Sequence, residues 1–486
     1  MANDNLKQKA TSGIIWTAVQ KYSTMTISFI AGMILARLLT PEDFGSIGML
    51  EIFMYMAQVF IDSGFGSALI QKKNPTQTDY STIFYFNIGM SIVLYAILFI
   101  SAPYIAEFYH MPDLCLILRV QGLVLFINSL NVIQQNIIRK NLQFKKLSKI
   151  TITTSFITLA VTIILAYCGW GVWALVAQNY MIALVPCIFF WLTTDWHPTL
   201  EYSWKSFREL FSFGAFMFLT HLFETFSNKI SGLLIGRWFN PATMGFYSRA
   251  ESTANLASLS IAGVMISTTY PLYASVQDDK ERLGNIIKRI TSTLAYVTYP
   301  FLFILILIAK PLFIILFSEK WTPCVPYFQM LCLAGLATCL QAVNYQSIAA
   351  IGKSRIRFYW TIVNQTVAFT LQLCGVVFWG MKGLLIGMVI SCWFAYIVNI
   401  SLVSKYVGYK NYQQLLTLGP ILLVAGMSSL VAYFIITPFG FNMYVDAALK
   451  LFITTTLYLG WSVFFKPEAY TYTLSIVKSQ INKNKE

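Results

Sequence analysis

Charge is scarce in this chain. Only 11% of its 486 residues are Asp, Glu, Lys or Arg, where ordinary soluble domains carry about a quarter. Histidine is rarer still: His110, His197 and His221 are the whole complement. There is no Walker-type phosphate loop, no HExxH and no serine nucleophile elbow. Nucleotide-driven and hydrolytic mechanisms therefore have no motif to rest on. The cysteines (Cys115, Cys168, Cys187, Cys324, Cys332, Cys339, Cys374 and Cys392) are scattered, with no CxxC and no zinc spacing, and read as packing residues. Asp278 and Asp279 imitate a metal-binding pair, but beside Lys280, Glu281 and Arg282 they read as a solvated loop. We expect no enzyme, no cofactor and no metal.

Apolar residues are abundant, at 57% with mean hydropathy +0.63. The composition predicts an all-α polytopic membrane protein with about 14 transmembrane helices. The candidate spans run roughly over 12–36, 44–65, 81–102, 116–138, 148–167, 172–193, 210–236, 247–270, 291–317, 325–349, 357–379, 383–404, 416–436 and 446–465. About twenty apolar residues suffice for each. The opening stretch, MANDNLKQKATSGIIW, has no small-residue cleavage site and reads as a retained first span.

The formal net charge of +14 raises the question of a nucleic-acid partner. Its distribution answers differently. With the N-terminus inside, 24 of the 34 basic residues fall on inside segments, among them Lys72, Lys73, Arg139, Lys140, Lys353 and Lys485, and only 7 outside, Lys450 among them. This is the positive-inside pattern of cytoplasmic N- and C-termini. No nucleic acid is needed to explain the charge.

The chain also repeats itself. At an offset of 200 residues Ile30, Gly32, Arg37, Pro41 and Gly45 align with Ile230, Gly232, Arg237, Pro241 and Gly245. Further on the offset becomes 211, placing Gln135 on Gln346 and Gly169 on Gly380. Two six-span copies follow, one over 1–200 and one over 201–410. Residues 411–486 add two more spans and a cytoplasmic tail. An even span number gives both copies one orientation, so the lobes are expected to relate by a pseudo-twofold along the membrane normal.

LARLLTPEDFG at 35–45, GFGSALIQKK at 64–73, RKNLQFKKLS at 139–148, GWGVWALVAQ at 169–178 and LLIGRWFNPATMGFYSRAE at 233–251 resemble the polysaccharide-exporter family. That family lies within the multidrug/oligosaccharidyl-lipid/polysaccharide superfamily and includes O-antigen flippases and colanic-acid-type exporters. The resemblance runs along nearly the whole chain. It implies two six-helix lobes around a central cavity in the bacterial inner membrane. It also implies flipping of undecaprenyl-pyrophosphate-linked oligosaccharide by alternating access, with membrane lipids as surroundings.

Such a substrate needs cations for its pyrophosphate and hydroxyl or amide partners for its sugars. Lys21, Lys229 and Arg249 are the candidate cavity cations. Lys21 reads equally as a lysine snorkelling to the interface, and Arg249 equally as a helix-pinning salt bridge to Glu224 or Glu251. Glu51, Asp62, Glu224 and Glu251 are the candidate acidic groups, able to couple transport to H+ or Na+. Glu51, Tyr55, Gln58 and Asp62 follow helical spacing and form one polar stripe along span 2. That stripe is either a wet cavity wall or interhelical glue with Asp62 near the outer interface. In span 7, Thr220, Glu224, Asn228 and Ser231 share a face, and Lys229 points too far round the helix to pair with Glu224. His221 could share the Glu224 side, though a lone membrane histidine is more often a packed residue. The candidate sugar-facing groups are Gln58, Asn128, Asn131, Asn228, Asn255, Gln341 and Asn344, with Gln135 beside them; for the amides of spans 4 and 10 glue is at least as good a reading. Arg37 and Arg237, each before a Pro-x-x-x-Gly turn, read as structural.

The rival reading is a cation-coupled exporter of small drugs. Drug cations call for an acidic, aromatic cavity, and Lys21, Lys229 and Arg249 argue against one.

Overall fold

The computed structural model describes residues 2–276, 279–351 and 354–483. Asp278, Lys353 and Lys485 of the sequence reading lie outside them. Among the described residues every regular element is helical. Ten helices are long and apolar enough to cross a membrane, and a bent pair, Trp204–Ser212 with Met217–Trp238, makes eleven if it is one span. The expected fourteen are not reached by this measure. One reason is Tyr359–Val407, counted once at 49 residues. It is long enough for two crossings and is broken at Gly380 (φ 60°, ψ −142°).

Two compact units divide the chain, Met1–Gly245 and Phe246–Glu486. The first contains α1 (Ala2–Leu38), α2 (Pro41–Asp62), α3 (Phe65–Gln71), α4 (Gln77–Phe108), α5 (Asp113–Gly122), α6 (Val124–Lys140), α7 (Phe144–Tyr167), α8 (Val172–Thr193), α9 (Trp204–Trp238) and the start of α10 (Pro241–Ser275). The turn before α2 follows from TPED. Thr40 caps the helix, Pro41 occupies a first-turn position that loses no hydrogen bond, and Asp43 completes a capping box with the Thr40 backbone. Thr76 and Asp79 do the same for α4. α2 ends because Ser63 (φ 40°) and Gly64 (φ 72°) both turn left-handed.

Within this unit α1 packs on α7, α7 on α8, and α2 on α9. The break after α2 drives Phe65 into a core with Leu69, Ile83, Phe84, Ile133 and Leu210. α9 is itself bent by 59° between Ser212 and Met217. The two breaks meet. A Cβ on Gly64 would fall on the carbonyl oxygen of Gly214, and Phe60 meets Phe218 edge-on at 5.2 Å. A second close approach joins the α2 and α10 starts. A Cβ on Gly45 would fall on the Pro241 carbonyl, and one on Gly245 would fall on the Pro41 carbonyl.

The second unit contains the rest of α10, then α11 (Lys280–Leu307), α12 (Ala309–Phe317), α13 (Cys324–Ala350), α14 (Ser354–Val407), α15 (Asn411–Ile436), α16 (Met443–Phe465) and α17 (Glu468–Lys483). Trp321, Phe313, Phe317 and Phe328 are among its largest fully buried side chains. α15 and α16 pack on each other and on α11. There the Tyr296 hydroxyl donates to Ser462 Oγ at 2.8 Å, and the Tyr458 hydroxyl donates to the Tyr296 carbonyl at 2.9 Å. Lys450, assigned from sequence to an outside segment, is a buried residue near the start of α16, paired with Asp446 one turn back at 2.8 Å. The aligned glycines Gly169 (φ 82°) and Gly380 (φ 60°) are both left-handed, each in its own unit. The second repeat offset thus marks a backbone requirement that only glycine meets without strain.

A polar track along α2 and α9

The stripe on α2 meets α9 at Glu51 and α6 at Gln58. At its first residue, near the middle of α2, Glu51 Oε2 accepts from Lys229 Nζ at 2.5 Å. The same ammonium lies 4.5 Å from the centre of the Tyr55 ring. One turn on, Gln58 Oε1 accepts from Asn128 Nδ2 at 3.0 Å, and Gln58 Nε2 donates to Asp62 Oδ1 at 3.1 Å. A chain of polar contacts therefore runs from α6 through α2 to Asp62. The Lys229–Glu51 pair retains 30% and 37% side-chain exposure, so it is not sealed inside the protein.

At the far end of the track lies a cavity of about 340 Å³. Asp62, Gln135, Asn136, Arg139, Phe218 and His221 are among its lining residues. It sits directly beside the paired breaks of α2 and α9. Gly66 makes room for the Asn136 amide, since a Cβ there would stand 3.0 Å from Asn136 Nδ2. His221 Nδ1 is 3.8 Å from Glu224 Oε2.

Sequence reasoning placed the stripe correctly but not its partners. Lys229 is turned away from Glu224, as the helical angles require, and its carboxylate comes from α2. The face of α9 that meets α2 is built from His221, Thr225 and Lys229, spaced four residues apart. It lies beside the Thr220–Glu224–Asn228–Ser231 face singled out from sequence. Asp62 is the last residue of α2, at the opposite end of that helix from the Arg37–Pro41 turn.

The other candidates divide. Lys21 is exposed on α1, and Asn228 and Asn255 are exposed on α9 and α10. Asn131 Nδ2 donates to the Ala183 carbonyl at 2.9 Å and Gln341 Nε2 to the Cys392 carbonyl at 2.6 Å, which is interhelical bridging. Asn344 is fully buried. In the second unit, the Arg249 guanidinium lies over Phe317 at 5.3 Å and Trp321 at 5.5 Å. Glu251 accepts from the Tyr247 hydroxyl at 3.1 Å. Arg237 contacts His110 Nε2 at 3.1 Å and the Phe108 ring at 5.3 Å, pinning the end of α9 to that of α4.

Residues 34–326 match a family described as polysaccharide biosynthesis proteins. The teichuronic acid biosynthesis protein TuaB of Bacillus subtilis is 25% identical over 358 residues, covering 73% of this chain and 74% of TuaB. The lipopolysaccharide biosynthesis protein WzxC of Escherichia coli is 22% identical over 335 residues, 68% of each chain. Among solved structures, the lipid II flippase MurJ in an inward closed conformation superposes with a TM-score of 0.71 at 14% identity, covering 93% of this chain and 99% of MurJ. An inward-facing multidrug MATE transporter superposes with a TM-score of 0.63 at 15% identity, covering 82% of this chain and 98% of its own. Both likenesses speak for the fold.

Proposed function

Because this chain belongs to the polysaccharide biosynthesis protein family, we propose that it is a flippase moving lipid-linked oligosaccharide across a bacterial inner membrane for surface polysaccharide assembly. Its relatives are named for polysaccharide biosynthesis and transport, and its fold is that of a lipid II flippase. The lipid carrier is undecaprenyl pyrophosphate, the motion is alternating access, and the termini are cytoplasmic, as the basic-residue asymmetry supports. The two copies, 1–200 and 201–410, act as the transport lobes, and 411–486 is an appendage.

The observation that carries this reading is the Lys229–Glu51 pair. A cation within a membrane span is costly and marks a substrate or ion path. Here it pairs with the Glu51 carboxylate and lies over the Tyr55 ring, and it stays partly exposed. A pyrophosphate offers Lys229 more charge than Glu51 does and competes for it. Glu51, displaced, then takes a proton or a sodium ion, which links headgroup binding to an ion gradient. Lys21 and Arg249 contribute further cations, and Asp62, Glu224 and Glu251 further acids. Export of small drug cations is the poorer reading, because Lys21, Lys229 and Arg249 would repel them.

The test is a lipid extract from cells depleted of this protein. Undecaprenyl-pyrophosphate glycan accumulates, and wild type relieves the accumulation while Lys229→Ala, present at equal level in the membrane, does not. No accumulation with unchanged surface glycan sinks the reading.

A further inference from the structure

The cavity at the end of the α2 track has a chemistry of its own. Asp62, Arg139, His221, Gln135, Asn136, Ser67, Thr225 and Phe218 are among the residues that line its roughly 340 Å³. That volume lies at the low end of small-molecule pockets. The lining excludes most occupants. A phosphate would meet the carboxylate of Asp62. A metal ion or drug cation would face Arg139. An apolar molecule would strip water from both charges without replacing their hydrogen bonds.

A neutral ring carrying several hydroxyls satisfies all of them together. Hydroxyl hydrogens donate to Asp62, hydroxyl oxygens accept from Arg139, and the amides do either. An aromatic side chain offers a face or edge to the C–H side of the ring. We infer that this cavity is a sugar subsite, taking one pyranose of the glycan whose pyrophosphate Lys229 holds. This rests on the flippase reading and assigns the sugar end of the same substrate.

Position supports the assignment. Glu51 and Asp62 are eleven positions apart on α2, about 16 Å along the helix. A glycan anchored by its pyrophosphate at the Lys229–Glu51 level would reach the cavity with a sugar beyond the first. The cavity abuts the backbone contact of Gly64 with Gly214, where α2 ends and α9 bends. A sugar seated there touches both sides of that double break, so its fit reaches directly into the helix geometry.

The experiment uses the full chain in lipid nanodiscs and two probes. One is free oligosaccharide, released by mild acid from the lipid extract of depleted cells and so lacking pyrophosphate. The other is inorganic pyrophosphate. Binding is read as a ligand-induced rise in Tm and a titrated Kd. The expected pattern is crossed. Gln135→Ala and Asp62→Asn weaken oligosaccharide binding by about tenfold or more and leave pyrophosphate binding unchanged. Lys229→Ala loses pyrophosphate binding and keeps the oligosaccharide. Each variant's Tm without ligand checks that it folds. Oligosaccharide that binds wild type and both pocket variants alike overturns the proposal. So does oligosaccharide that fails to bind wild type. If depleted cells still accumulate lipid-linked glycan in that case, the flippase reading stands and only the subsite falls.

Discussion

Gly45 and Gly245 make the same contact in reverse. Each is the fifth residue of its helix, and each lies against the carbonyl of the proline that begins the other helix, Pro241 for Gly45 and Pro41 for Gly245. Reciprocity of this kind is what a twofold relation produces: residue i meets j, and j meets i. The two Pro-x-x-x-Gly turns found at an offset of 200 residues are thus partners in space as well as copies in sequence.

The contact is backbone against Cα, with no flexible side chain to move aside. Gly45→Ala and Gly245→Ala should therefore each destabilise the protein by about 1–3 kcal/mol, the usual cost of overpacking, or more. The readout is Tm in detergent by intrinsic fluorescence. Because one separation of the helices relieves both clashes, the double variant should lose less than the two single losses added. Strict additivity would show that the two sites do not share the contact.

Glu51 and Lys229 should separate in their effects. Glu51→Gln keeps a hydrogen-bond acceptor beside Lys229 and leaves the cation free to meet the headgroup. Transport should persist, with its dependence on external pH or sodium flattened. Lys229→Gln removes the cation, and transport should fall by more than about tenfold. The measurement is the rate at which lipid-linked glycan becomes accessible on the far leaflet of reconstituted vesicles. Equal loss in both variants would reduce the pair to a structural tie between α2 and α9.

Much of this was readable from the residues, and the limits have a physical cause. Helical periodicity within one span is local, so the α2 stripe through Glu51, Gln58 and Asp62 could be drawn from spacing alone. The repeat was legible because its glycines are irreplaceable: Gly45 and Gly245 for lack of room, Gly169 and Gly380 for their positive φ. Pairing between spans is not local. Nothing near Lys229 in the sequence names Glu51, 178 residues away. Nor does spacing distinguish an amide that meets substrate from one like Asn131 or Gln341 that bridges to a neighbouring carbonyl. The bend in α9 hides in an apolar run whose only mark is Gly214. The Arg139 and His221 side of the cavity was missed as a site, though His221, Thr225 and Lys229 repeat every four residues and could have been read as a face.

A pH effect is expected at the loop between α3 and α4. Lys72 Nζ bridges Asp79 Oδ2 at 3.0 Å and Glu209 Oε2 at 3.3 Å. Burial alone would lower its pKa, but the hydrogen bonds and charge of Asp79, then of Glu209, outweigh burial and hold it above the ordinary lysine value. A raised folded pKa stabilises the protein below the unfolded value, about 10.4, and that stability is lost as pH rises through the folded one. Wild-type Tm should therefore fall on going above that range by more than the Tm of Lys72→Met, which lacks the contribution at every pH. Parallel curves would show that the bridge adds no pH-dependent stability.

Arg249 tests whether a guanidinium plane is needed or only a charge. Its carbon centre stands 5.3 Å from the Phe317 ring and 5.5 Å from Trp321, and Trp321 is fully buried. Planar, weakly hydrated guanidinium stacks on aromatic faces; a compact ammonium holds its water more tightly and stacks less well. Arg249→Lys should thus cost up to about 2 kcal/mol, the range of a desolvated cation–π contact, despite keeping the charge. Arg249→Met, which fills similar space without charge, should also lose the ring electrostatics but avoids burying an ammonium. If Met is tolerated better than Lys in Tm while transport falls in both, the cation works on substrate and the plane on the fold. If Lys matches wild type in Tm and transport alike, the aromatic stack is incidental and charge alone is what this position supplies.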